Sequence, residues 1–329
     1  MKRIILGILA AAATAFAAHA QDATPAVIYD MGGKFDKSFN EAAFNGAELW
    51  KKETGKEYRE FEISDAAQRE QALRRFAQDG NQPIVAMGFA QAAAVEKVAK
   101  EFPDVKFAII DMVVDLPNVR SIVFKEQEGS YLVGIMAAMA SKTGKVGFVG
   151  GMDIPLIRRF ACGYVGGVKA SNASAEVFEN MTGTTPEAWN DPVKGGELAK
   201  SQFDRGADVV YHAAGGTGIG VLQAAKDAAK LGIGVDSNQT GLQPGSVLTS
   251  MLKRVDVAVT NAFKEGGSDK WGGIQVLGLA EGGVDYAMDE NNASLVSDEM
   301  KAAVEKAKAD IIAGTITVHD YMSDTACPY

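Results

Sequence analysis

The segment Asp30-Met31-Gly32-Gly33-Lys34-Phe35-Asp36-Lys37-Ser38-Phe39-Asn40 gathers carboxylates, an amide and two phenyl rings directly behind a short apolar run, Ala26–Tyr29. It reads as the end of a first strand, a loop and the start of a helix. In a parallel α/β fold ligands bind outside the carboxyl ends of strands, so this loop is a candidate wall of a binding cleft. The competing reading is an ordinary capped turn, with Asp36 or Ser38 as N-cap and Phe39 in the core. Catalytic patterns are scarce elsewhere. There is no Gly-x-Ser-x-Gly elbow, and the histidines are His19, His212 and His319, too scattered for a His-Glu-x-x-His zinc helix or a three-His metal site. A converging pair of acids, as in a glycosidase, stays open because it has no motif. Gly216-Thr217-Gly218-Ile219-Gly220 opens a helix behind a strand, but its third glycine falls one residue early for a dinucleotide fingerprint. Thr143-Gly144-Lys145-Val146 lacks the partners of a phosphate loop, and both stretches read as turn chemistry.

The elements that must position these residues alternate regularly. Ala26–Tyr29, Tyr58–Ile63, Ile84–Met87, Phe107–Ile110 and Ser121–Phe124 read as strands, with helices at Phe39–Glu53, Ala66–Asp79 and Gln91–Phe102 between them. After a long helix, Glu128–Ser141, the rhythm restarts with strands at Lys145–Val149, Ala175–Glu179, Asp208–Tyr211, Ile233–Val235 and Val247–Thr249. The helices of this series are Leu156–Lys169, Val193–Arg205, Ile219–Lys230 and Val255–Lys264. Repeated βα units predict an α/β fold with two doubly wound parallel-sheet lobes and a cleft between them. Glu265–Ser268 and Glu281–Gly283 read as crossings between the lobes.

Composition narrows the function. Met1-Lys2-Arg3, the apolar run to Ala18 and Ala18-His19-Ala20 predict a signal peptide cleaved after Ala20, and no cysteine stands at that junction to carry a lipid. A soluble periplasmic protein is expected. Loss of Lys2 and Arg3 takes the formal charge from −9 to −11, which argues against nucleic-acid polymers and anionic lipid surfaces. The chain has 329 residues, enough for two lobes. Cys162 and Cys327 allow at most one disulfide; two separate thiols are the alternative.

Three segments in order, Phe35–Asn40, Gly150-Gly151-Met152-Asp153-Ile154-Pro155-Leu156-Ile157, and Ala213–Gly218 with Gly234-Val235-Asp236 downstream, resemble the basic membrane protein (Bmp/Med) family of ABC-transporter substrate-binding proteins. The resemblance implies a type I periplasmic-binding-protein fold that catalyses no reaction and carries no cofactor. It implies a purine nucleoside or nucleobase as ligand, an ABC permease as partner, and a monomer. It implies an N-terminal lobe of 21–125 plus about 254–282 and a C-terminal lobe of 126–253 plus about 283–329. Residue by residue, it implies that Phe39 and Tyr211 stack on the base and that Asp30, Asp236, Lys253 and the Gly216 N–H grip the ribose. Asn40 and Asp111 are then left to read the base edge, and Trp189 brings a third ring. The rivals are the same fold on another small polar metabolite and a secreted nucleoside hydrolase.

Overall fold

Short aliphatic runs bounded by amphipathic helices bury both of their faces, which is the environment of a central parallel strand. In the computed structural model, which describes residues 23–329, the first series is β1 (Ala26–Tyr29), α1 (Phe39–Thr54), β2 (Arg59–Glu62), α2 (Gln68–Gln78), β3 (Ile84–Ala86), α3 (Ala92–Glu101), β4 (Phe107–Ile110) and β5 (Val119–Phe124). The second comprises α4 (Glu126–Ala140), β6 (Lys145–Met152), α5 (Pro155–Ser171), β7 (Glu176–Gly183), α6 (Pro192–Asp204), β8 (Val209–Ala213), α7 (Gly218–Asp227), β9 (Leu231–Asp236) and β10 (Val247–Lys253). The chain closes with α8 (Val255–Glu265), β11 (Gly273–Leu277), β12 (Val284–Tyr286) and α9 (Asp298–Ile312). The predicted signal segment and its cleavage point lie outside the described residues.

One sheet runs β11-β5-β4-β3-β1-β2 and the other β12-β10-β9-β8-β6-β7. Among the described residues only the β10–β12 pairing is antiparallel. In each sheet the winding reverses direction once, between β1 and β3 and between β6 and β8. Those switch points open a crevice beyond the strand ends, and in this fold class ligands bind there.

Three segments pass between the lobes: Lys125, Arg254 and residues 278–283. They are hydrogen-bonded side by side, Lys125 N–H to the Leu277 carbonyl at 3.0 Å and Arg254 N–H to the Gly283 carbonyl at 2.8 Å. Glu265–Ser268, expected as a crossing, is instead a turn within the first lobe. There Lys106 Nζ donates to the Gly266 and Ser268 carbonyls at 2.8 and 2.6 Å. The reason is that α8 returns to pack on α1. Gly46 makes that approach possible, since a Cβ there would overlap the Asp256 carbonyl. Thr260 Oγ1 donates to the Gly46 carbonyl at 2.8 Å, and the Trp50 and Phe263 rings meet edge-on at 5.4 Å. Each such buried ring contributes about 1.5–3 kcal/mol by leaving water.

Cys162 on α5 and Cys327 form a disulfide, with Cα atoms 5.6 Å apart across a separation of 165 residues. It staples the C-terminal tail to α5. Replacing Cys327 by serine is expected to lower the unfolding free energy by about 3–5 kcal/mol. Ligand affinity should stay unchanged, because neither cysteine lines the cleft. Urea titration with and without reductant checks this; coincident curves would mean that the tail adds nothing to the folded state.

Candidate functional site

The loops leaving both switch points converge on one cleft between the lobes, the usual place for a small-molecule site in such a fold. The first lobe contributes Asp30 and Met31 after β1, Gly88 and Phe89 after β3, and Asp111 after β4. The second contributes Leu156, Ile157 and Phe160 on α5, Ala213 at the end of β8 with Ala214 and Gly215 after it, and Asp236 and Lys253 at the ends of β9 and β10.

The loop ahead of α1 is shaped by its own polar groups. Asp36 caps the helix, accepting from the Ser38, Asn40 and Glu41 N–H groups at 2.8, 3.0 and 3.1 Å. Asn40 Oδ1 accepts from the Asp30 N–H at 3.2 Å, and Asn40 Nδ2 donates to the Asp30 and Gly33 carbonyls at 3.0 and 3.2 Å. Asn40 therefore lines the cleft while its amide pins the loop. Asp30 Oδ1 accepts from Arg69 Nη2 at 3.1 Å. Phe39, one residue along, is half-buried and faces the cleft.

Lys253 is the electrostatic centre. It is 2% exposed, with Nζ 2.6 Å from Asp111 Oδ2 and 3.1 Å from Glu126 Oε1, and its charge lies 5.0–5.6 Å from the Phe39, Phe124 and Phe160 ring centroids. Burial works against that charge, but Asp111, Glu126 and Asp236 outweigh it and hold the ammonium above its ordinary range. Burial pushes Asp111 up to about 6 although Lys253 pulls the other way. Asp111 Oδ1 has no hydrogen-bond partner among the described residues, and both Asp111 (φ 69°) and Asp236 (φ 61°) hold left-handed backbone conformations. Such strained carboxylates, one with an acceptor left over, are typical of sites that await a donor. Ser38 Oγ donates to Asp236 Oδ2.

The aromatic walls differ from expectation. Tyr211 is 0% exposed and absent from the cleft lining. Because β8 runs on to Ala213, the Tyr211 ring lies within the strand rather than at its end. It packs at 5.4 Å on Phe148 and 5.2 Å on Tyr164, with its hydroxyl 3.3 Å from Ser130 Oγ. Gly216 likewise misses the lining, where Gly215 takes its place; Gly216 instead lies close under the Trp189 carbonyl. Trp189 does line the cleft. Its ring packs against Gly151, where a Cβ would collide with it, and Thr217 fixes the loop by donating to the Ala188 carbonyl at 2.8 Å and accepting from the Asp191 N–H at 2.7 Å. Phe160 and Phe89 were not expected and line it too. Seven of the expected residues therefore meet at the cleft: Asp30, Phe39, Asn40, Asp111, Trp189, Asp236 and Lys253.

Burial pushes Asp36 up to about 7 despite the three N–H groups that donate to it, and nearby Asp236 pushes the same way. Asp36 and Asp111 are carboxyls whose folded pKa lies above the roughly 3.9 of an unfolded aspartate, so the folded state keeps protons that the unfolded chain has released. Their contribution is present in acid and is lost as pH rises through about 6–7. His212 acts oppositely: burial lowers it to about 4, so its contribution is present above about pH 6.5 and lost as pH falls. Across pH 8 to 5 the two aspartates win, and stability is expected to rise by about 1–2 kcal/mol on acidification. Urea midpoints at pH 8, 6.5 and 5 check this; a lower midpoint at pH 5 would mean that Asp36 ionises without cost.

Comparison with known proteins gives a consistent picture. Residues 23–321 match the family model described as ABC transporter substrate-binding protein, PnrA-like, Bmp. A Lactococcus lactis protein described as the ABC transporter nucleoside-binding protein BmpA is 35% identical, the alignment covering 90% of this chain and 89% of that one. A solute-binding protein of an ABC transporter system from Aeropyrum pernix superposes with a TM-score of 0.83 at 32% identity, over 91% of this chain and 93% of that one. A dimeric Lac repressor superposes with a TM-score of 0.58 at 11% identity, over 82% and 98%, which is a likeness of fold alone.

Proposed function

The chain belongs to the Bmp family of ABC-transporter substrate-binding proteins, and on that premise we propose that it captures a purine nucleoside or nucleobase in the periplasm and delivers it to an ABC permease. Its fold is the type I periplasmic-binding-protein fold, and a substrate-binding protein of this family is not an enzyme. No helix among the described residues is long and apolar enough to cross a membrane.

The observation that carries the ligand is the pairing of aromatic walls with a carboxylate–ammonium cluster in one cleft. Phe39 and Trp189 offer flat faces to a base. Asp236 and Lys253 offer charge-assisted hydrogen bonds to the hydroxyls of a sugar, and Asp111 is left to read the base edge. Stacking contributes about 1–3 kcal/mol per base–aromatic contact and each charge-assisted bond about 1.5–3 kcal/mol. Together they offset the cost of association and bring affinity to micromolar or better. The name of the Lactococcus relative points the same way. The lobes that close on the ligand are 21–125 with about 254–282, and 126–253 with about 283–329, acting in a monomer.

Calorimetric titration of ligand-stripped protein with adenosine, guanosine, inosine and adenine tests the reading. One-to-one binding of a nucleoside, lost in Phe39→Ala, is expected. Binding of adenine alone would remove the sugar roles of Asp236 and Lys253. Silence with all four would reject a purine ligand.

A further inference from the structure

Beside the cleft, the second lobe holds the loop ahead of α1 through three side-chain hydrogen bonds. Ser38 Oγ donates to Asp236, Ser237 Oγ donates to the Ser38 carbonyl at 2.9 Å, and Gln239 Nε2 donates to the Lys37 carbonyl at 2.9 Å. Gln239 is not part of the cleft lining and is 1% exposed. Its amide nevertheless has a single permitted orientation. Gln239 Oε1 accepts from the Val235 N–H at 2.9 Å, and a backbone N–H can only donate, so the oxygen must face its own lobe. The NH₂ group is thereby aimed at the Lys37 carbonyl, which can only accept. His212 Nε2 lies 2.9 Å from the same Oε1. That nitrogen must carry the proton, which leaves Nδ1 bare, and Nδ1 has no partner among the described residues. The backbone of Gln239 is tied down as well, its N–H donating to Ser250 Oγ at 2.9 Å.

We propose that Gln239 is a closure latch: a positioning residue, oriented by Val235 and His212, that favours the closed state and lengthens ligand residence without touching the ligand. The bond it makes between the lobes exists only when they are closed. Its free energy therefore multiplies the closed population, and apparent affinity scales with that population. The inference rests on the two-lobe receptor reading, and the test separates the two.

The variant is Gln239→Glu, which keeps the shape and the oxygen facing Val235 but sets a carboxylate oxygen against the Lys37 carbonyl. Adenosine and guanosine are the probes. Dissociation is expected to quicken by about tenfold while association changes by less than about twofold. Read at pH 8, where the glutamate is ionised, and without ligand, where the lobes open and water reaches the new carboxylate, the urea midpoint should stay near that of the wild type, because the bonds within the second lobe remain. Ser237→Ala, which removes a parallel bond, should act in the same sense by about twofold to threefold. Spin labels on Arg75→Cys in α2 and Lys200→Cys in α6, both exposed, should report a smaller short-distance population in Gln239→Glu than in the parent. Equal dissociation rates and equal distance populations would overturn the latch. So would equal losses of association rate and stability, which would mark Gln239 as merely structural. If neither probe binds the wild type, the purine reading fails and the distances alone decide. A short-distance population that falls in the variant keeps the latch, and one that is unchanged or missing from the parent overturns it.

Discussion

Lys253→Met is expected to abolish nucleoside binding, by more than about a hundredfold, and to destabilise the fold by about 3–5 kcal/mol at pH 7.5. The stability loss follows from what stays behind. Asp111 and Glu126 lie 2.6 and 3.1 Å from the ammonium, Asp236 is in its field, and none of the three is appreciably exposed. Removing one partner of a buried ion pair leaves uncompensated charge in a poorly solvated site, and breaking such pairs costs about 3–5 kcal/mol. Arg159 still neutralises part of Glu126, with Nη1 2.9 Å from Oε2. Asp111 has no second cation among the described residues, so the double variant Lys253→Met/Asp111→Asn should recover most of the stability and none of the binding. Acidification should also help the single variant, because without the ammonium Asp111 is pushed further up and can be protonated by about pH 5. Urea titration with calorimetry reads both effects. A single variant within 1 kcal/mol of the parent would mean that water already screens the cluster.

The strand ends were legible because a parallel sheet has a simple grammar: apolar run, loop, helix. Asp30, Asp111, Asp236 and Lys253 each follow or end such a run, and the topology alone carries them to the same rim. Local pattern was weaker where burial was partial. β11 and β12 were not expected: β11 is an edge strand whose residues are largely exposed, and β12 has three residues. α9 was not expected either, although Met300, Val304, Ala307 and Ile311 carry a helical period and Ser297 caps its start by accepting from the Met300 N–H. Contacts between distant segments were not legible at all. Glu126 sits at a lobe crossing, two residues ahead of the helix expected at Glu128–Ser141, yet it is fully buried against Lys253 and Arg159. Phe160 sits on the buried face of α5, where nothing in its spacing separates a core ring from one that meets a cleft.

The two candidates for the ring opposite Phe39 show the same limit, and they give opposite expected results. Family resemblance aligned Tyr211 with a stacking ring, but the pleat of β8 turns that ring into the core between Phe148 and Tyr164. Trp189 comes from a loop held by Thr217, distant in sequence, so no local signal marks it as a wall. Trp189→Ala should weaken nucleoside binding by about 30–100-fold, the loss of one base–aromatic contact near the upper end of 1–3 kcal/mol. Stability should change by less than about 1 kcal/mol, because backbone and threonine hydrogen bonds hold the loop and the ring is only half-buried. Trp189→Phe should keep most of the affinity, since a smaller face still stacks. For Tyr211 the signs reverse. Tyr211→Phe should leave affinity unchanged, while Tyr211→Ala should cost about 3–5 kcal/mol of stability through the cavity it opens. Calorimetry and urea titration of the same four proteins decide between the rings. Affinity lost in Tyr211→Phe and kept in Trp189→Ala would return the stacking role to Tyr211, and would require β8 to end two residues earlier than Ala213 so that its ring could reach the cleft.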